Sequence, residues 1–196
     1  MEYILRPEMT DAEIELFGRI IQGKKTLLEF GCGGSTVFTA MRKIPNIVSV
    51  DSDHAWIDKV SEVDCIKSLL GTGNIKFFHV DIGETTEWGY PKNDSRIREW
   101  YKYWLEIWKK INPEDVDCML VDGRFRVACV LFGISKLASG VPIIVHDFWR
   151  RPHYHVITKY LSCIASVDNL AVFITNQNLV RNEMFEDLIH YSFDPR

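Results

Sequence analysis

No apolar run in this chain approaches the roughly 20 residues that a membrane-spanning helix needs, so such an anchor is not expected. The stretch Met1-Glu2-Tyr3-Ile4-Leu5-Arg6-Pro7-Glu8 lacks the basic and apolar regions of a secretory leader. Positive charge is not in surplus either. Lys and Arg number 23 against 27 Asp and Glu, a net charge of −4, which gives no global attraction to nucleic acid. Cysteine is sparse: Cys32, Cys65, Cys118, Cys129 and Cys163 are odd in number and show no metal-ligand spacing. They read as reduced, mostly buried thiols rather than a zinc motif or a disulfide framework. Repeats, low-complexity tracts and an internal linker are missing as well. The expectation is one cytoplasmic domain spanning residues 1–196, with no membrane or nucleic-acid partner.

What is present centres on Leu27-Leu28-Glu29-Phe30-Gly31-Cys32-Gly33-Gly34-Ser35-Thr36. A short apolar run carries a carboxylate and then meets a cluster of glycines and a polar pair. This is a strand entering a tight turn that opens a helix, where the main chain can be approached closely. A side chain at Gly31 is expected to exclude the ligand while leaving the sheet folded.

Further apolar runs end in acids at Asp51, Asp81, Asp122 and Asp147. The strands are expected at 26–30, 47–51, 75–81, 116–121 and 141–145, with helices at 10–22, 35–42, 53–60 and 125–137. Thr10-Asp11-Ala12-Glu13 reads as a capping box. Continuous apolarity suits parallel strands covered on both faces. After residue 150 the pattern predicts a helix at 154–164 and an antiparallel pair at 170–175 and 188–193. Residues 95–110 are expected to be helical, with Trp100, Trp104 and Trp108 packing on the sheet at intervals of four. Trp88 and Tyr90 are candidates for one wall of a substrate pocket.

Acids gathered at consecutive strand ends repel one another unless a donor-rich or cationic ligand is held there. On these residues the chain resembles the class I S-adenosylmethionine-dependent methyltransferases. Glu29-Phe30-Gly31-Cys32-Gly33 is similar to their first motif, Asp51 to their ribose-binding acid, and Asp81 to the acid that meets the adenine amino group. The resemblance implies a three-layer α/β/α Rossmann-like methyltransferase fold. Its mostly parallel seven-stranded sheet would have order 3-2-1-4-5-7-6, the last strand antiparallel. It implies S-adenosylmethionine as cofactor, bound by Glu29, Gly31, Gly33, Gly34, Ser35, Asp51 and Asp81. Gly34 comes one position earlier than the third motif glycine, so Ser35 or Thr36 would help line the methionine end. A nicotinamide-dinucleotide oxidoreductase is the lesser alternative, since its fingerprint needs glycine where Thr36 stands.

The reacting end is expected past the fourth and fifth strands, at Asp122-Gly123-Arg124-Phe125-Arg126 and His146-Asp147-Phe148-Trp149-Arg150-Arg151. His146 is the candidate base, with Asp122 and Asp147 as further catalytic groups. Arg124, Arg126 and Arg150 are candidates to bind an anionic substrate group; pairing with the neighbouring acids would instead yield a binding or regulatory protein without catalysis. Asp122 and Asp147 match two positions of the catechol-type, metal-dependent O-methyltransferases, but Phe148 stands where their amide ligand belongs, so magnesium is not favoured. The Asn/Asp-Pro-Pro-aromatic motif of amino-methylating nucleic-acid enzymes is absent. The resemblance therefore implies methyl transfer to an oxygen of a small or sugar-like molecule.

Overall fold

The computed structural model describes residues 5–175 and 181–196. Its centre is a seven-stranded sheet of order β3-β2-β1-β4-β5-β7-β6. The strands are β1 (Thr26–Phe30), β2 (Asn46–Asp51), β3 (Ile75–His79), β4 (Cys118–Val121), β5 (Ile143–Val145), β6 (Leu161–Val167) and β7 (Leu170–Thr175). The first five are parallel, and β7 runs antiparallel to both β5 and β6.

Seven α-helices surround the sheet among the described residues: α1 (Asp11–Ile21), α2 (Gly34–Met41), α3 (His54–Ser61), α4 (Asp64–Thr72), α5 (Tyr101–Leu105), α6 (Arg126–Ile134) and α7 (Arg181–Tyr191). Side chains alternate across each strand. Leu28, Phe30, Val50, Met119 and Val121 face α5, α6 and α7. On the other face, Leu27, Cys118, Leu120 and Ile144 meet α1, while Ile47 and Ile75 meet α2, α3 and α4. Trp100, Trp104 and Trp108 are buried on the first face, as their spacing predicts. Their helix is not continuous, however: the short α5 is flanked by 3-10 turns at Ile97–Glu99 and Glu106–Lys109.

The end of the chain departs from expectation. Residues 154–164 do not form one helix; a 3-10 stretch, Pro152–Lys159, leads into β6. The antiparallel pair is therefore β6 with β7, joined by a tight turn at Asp168 and Asn169, and 188–193 lies mostly within α7. Met184 and Leu188, one helical turn apart, bury against the sheet's first face. The link across 176–180 lies outside the described residues. Among the described residues no helix is long and apolar enough to cross a membrane.

Candidate functional site

The glycine turn joins β1 to α2 at the carboxyl edge of the sheet. Its amides are committed within the chain. Gly31 N donates to Val50 O, Cys32 N to Asp51 Oδ2 and Gly33 N to Thr36 Oγ1, each at 2.8 Å. A pyrophosphate-binding turn aims such N–H groups at its ligand; here they are used, which counts against a dinucleotide.

Glu29 lies beneath the turn, fully buried. Its carboxylate accepts from Ser35 Oγ, from Thr36 Oγ1 at 2.7 Å and from Ser49 Oγ at 2.9 Å. Ser35 and Thr36 thus serve Glu29 rather than a ligand's methionine end, and Glu29 braces the turn from below. Burial, opposed by these hydrogen bonds, pushes its carboxyl up to about 7 from an ordinary 4.5. The folded chain favours the protonated acid, so its contribution to stability is full below about pH 4.5 and erodes as pH rises toward about 7. Glu29→Gln is expected to remove that slope, a difference of roughly 3 kcal/mol at about 1.4 kcal/mol per pKa unit. Urea midpoints at pH 5 and pH 8 check it; parallel pH dependence in both proteins would contradict the assignment.

Asp51 closes β2 and is 8% exposed. Besides Cys32 N it takes Asp53 N on Oδ1 at 2.9 Å, leaving acceptor capacity on both oxygens. The loop from Thr85 to Pro91 leans over it: Ser52 Oγ donates to Gly89 O at 3.3 Å. Trp56 lies against the turn on the other side, its Nε1 donating to Cys32 O at 2.7 Å. Asp81 is exposed, pairs with Arg96 at 2.9 Å and caps Gly83 N. Gly34 is taken by the chain itself: a Cβ there would strike the Arg6 carbonyl and Pro7. That glycine admits the segment before α1 rather than a ligand.

At the ends of β4 and β5 the expected residues come together. His146 Nδ1 lies 2.9 Å from Asp122 Oδ1, while Nε2 is 3.5 Å from Glu13 Oε2 on α1. Glu13 itself, 2% exposed, completes the capping box with Thr10 and accepts from Asn169 N at 2.8 Å. Arg126 lies between Asp122 (3.2 Å) and Asp147 (3.6 Å) and donates to His146 O and Gly123 O. Arg151 also pairs with Asp147, at 2.8 Å.

Burial opposes charging at both Asp122 and His146. Arg126 and His146 nonetheless hold the Asp122 carboxyl below its usual range, and Asp122 raises His146 above its own. His146 therefore lies between the Asp122 and Glu13 carboxyl groups, each ring nitrogen facing an acid, where it ties the ends of β4 and β5 to α1. Among the described residues no group of three or more His, Cys, Asp or Glu is placed to hold a metal ion; between Asp122 and Asp147 the positive charge is Arg126.

Arg124 is buried, with its guanidinium 5.9 Å from the Tyr90 ring. Arg150 is exposed. Trp88 is 74% exposed and left-handed in its backbone (φ 62°), so it projects outward while Tyr90 turns toward Arg124. Tyr103 is a participant the sequence did not single out. Wholly buried, it sits where a Gly123 Cβ would go, and its hydroxyl accepts from Arg124 N at 3.3 Å. Glu13 and Trp56 were missed as well, whereas Arg151 was counted in the basic cluster and pairs with a neighbouring acid, Asp147. Glu13 had one signal, the capping box, which accounts for only part of what it does.

No protein-family model and no curated protein sequence matches the chain. Among solved structures, a methyltransferase-like protein from Silicibacter pomeroyi DSS-3 is 30% identical, covering 97% of this chain and 99% of that one at a TM-score of 0.80. An O-methyltransferase from Bacillus cereus, solved in complex with S-adenosylhomocysteine, is 12% identical, with 86% and 83% covered and a TM-score of 0.58. An RNA methyltransferase from Salinibacter ruber, in complex with S-adenosyl-L-homocysteine, is 11% identical, with 87% and 95% covered and a TM-score of 0.51. The last two likenesses are of fold.

Proposed function

The chain belongs to the class I S-adenosylmethionine-dependent methyltransferase superfamily, and from that premise we propose that it transfers a methyl group from S-adenosylmethionine to an oxygen of a small or sugar-like molecule. The observation that carries this reading is Asp51. A carboxylate at the end of β2, oriented by the Cys32 and Asp53 amides, keeps acceptor capacity on both oxygens. A ribose diol needs such a pair of acceptors. The donor set fits the cofactor in other respects: Asp81 offers an exposed acceptor one strand over, and the acids favour a ligand bearing ammonium and sulfonium charge.

When bound, the cofactor supplies an electrophilic methyl group. The protein's part is placement. Asp51 would hold the ribose, Asp81 the adenine amino group, and the turn from Gly31 to Gly33 would set the floor. The loop carrying Trp88 and Tyr90 would cover the site from above, excluding water. Asp122 and Asp147, fixed by Arg126, would form the wall on the acceptor side.

Asp51→Ala is expected to weaken S-adenosylhomocysteine binding by about 1.5–3 kcal/mol, the range for hydrogen bonds to a charged group. Isothermal titration of both proteins measures it, and unchanged affinity would remove Asp51 from the site. Formation of S-adenosylhomocysteine over a panel of hydroxylated and carboxylated acceptors separates an enzyme from a protein that only binds the cofactor.

A further inference from the structure

Among the described residues around the ends of β4 and β5, the cations have carboxylate partners except the exposed Arg150 and the buried Arg124. Arg126 is shared by Asp122 and Asp147, Arg151 is paired with Asp147, Arg196 with Asp194, and His146 lies between Asp122 and Glu13. Arg124 is 8% exposed, has no carboxylate within ion-pair distance among the described residues, and its Nε has no hydrogen-bond partner. The Tyr90 ring lies 5.9 Å from its guanidinium. An unpaired buried guanidinium is costly, and its planar fork matches a carboxylate. Nearby, His153 Nε2 is a second buried atom without a partner, its ring 4.4 Å from that of Tyr154. The unmet Arg124 Nε–H calls for a ligand with an acceptor oxygen.

The acidic groups and His146 at the ends of β4 and β5 are held by partners. Both His146 ring nitrogens face carboxylates, Asp122 is bound by Arg126 and His146, and the Tyr103 phenol is sealed inside, its proton held more tightly than usual by burial. A neutral hydroxyl acceptor would have to give up a proton, and none of these three groups is free to take it; the unpartnered His153 Nε2 is the remaining candidate, and its titration would show in the pH profile of turnover. An acceptor that arrives ionised has no such need.

Resting on the methyltransferase reading, we propose that the acceptor is a carboxylate, held by Arg124 and methylated on oxygen. In the transfer, one carboxylate oxygen bonds to the methyl carbon as the carbon–sulfur bond of the sulfonium breaks. The electron pair stays on sulfur, the products are a methyl ester and a neutral thioether, and no proton moves. Tyr90, stacked on Arg124, closes the subsite on its outer side.

The first test needs no turnover. Benzoate and hexanoate are titrated against the cofactor-free protein beside benzyl alcohol and hexanol. Each acid is expected to bind at least tenfold more tightly than its alcohol. Arg124→Met should abolish that difference, and Arg124→Lys should restore part of it, which also guards against misfolding of the methionine variant. Acids binding no better than alcohols, or a preference that survives in Arg124→Met, overturns the proposal. So does Arg124→Met weakening S-adenosylmethionine binding instead, because Arg124 would then serve the cofactor's own carboxylate.

The second test uses methyl-labelled cofactor with carboxylated acceptors. Mild alkali should release the label as methanol, as from an ester, and kcat/KM should stay flat from about pH 6 to pH 9 because no base titrates. Alkali-stable label overturns the carboxylate assignment and leaves methyl transfer standing. Failure to bind S-adenosylmethionine at all removes the underlying reading, while the acid-over-alcohol preference still reports on Arg124.

Discussion

Arg126→Met is expected to cost about 3–5 kcal/mol of folding stability, the range for removing one partner of a buried ion pair. The Arg126 residue is 3% exposed. It donates from Nε to Gly123 O at 2.8 Å and from NH1 to His146 O at 2.7 Å, and the same NH1 lies 3.2 Å from Asp122. Methionine fills similar volume but leaves two carbonyls without these donors and Asp122 and Asp147 without their shared cation. Urea denaturation measures the loss, and a cost under about 1 kcal/mol would show the network to be incidental. Asp122→Asn added to Arg126→Met should recover part of the loss, because it removes the stranded charge. The pH dependence has a definite sign. Asp122 titrates below its ordinary value of 3.8 in the fold, so its stabilising contribution is present above about pH 4 and is lost only as pH falls through the lower folded value. Without Arg126 the acid limb of the stability curve should begin at higher pH.

Gly31→Ala is expected to be as damaging, through a different cause. Gly31 has φ 96°, and a Cβ there would lie 2.5 Å from Gly123 N and 2.6 Å from Gly123 Cα. Both atoms are main chain, so no side chain can move aside. Left-handed backbone and overlap together should cost about 3 kcal/mol or more, seen as loss of soluble, cooperatively unfolding protein. Gly123→Ala should show the same defect, since its Cβ would meet the Gly31 main chain and the Tyr103 hydroxyl. The sequence pointed to ligand exclusion by a side chain at Gly31 with the sheet intact. The tertiary contact moves the effect from binding to folding. A Gly31→Ala protein with wild-type stability would contradict the close approach of the two turns.

Expectation and structure part along lines that follow from the range of each interaction. The five parallel strands were legible because strands covered on both faces read as short, continuous apolar runs with acids and glycines at their ends. The α1 cap was legible because its hydrogen bonds span only three residues, Thr10 to Glu13. The late elements were not. Residues 161–167 and 188–193 both carry apolar residues at spacings that suit either period. What decides between them is a partner: β7 offers a hydrogen-bonded edge to the first, and the face shared with α6 offers an apolar groove to the second.

The sheet order was implied only by the resemblance to a family; by itself, the sequence determined the first five strands, the glycine turn and the chemical types gathered at the strand ends. Those features follow from local periodicity and turn chemistry, which act over a few residues. Only the tertiary structure decided how those side chains are used: Glu29 under three hydroxyls, His146 between Glu13 and Asp122, Gly34 against Arg6 and Pro7, Arg124 without an acid. Burial sets the energy of a charge and through-space neighbours set its partner, and neither quantity is written in the order of residues along the chain.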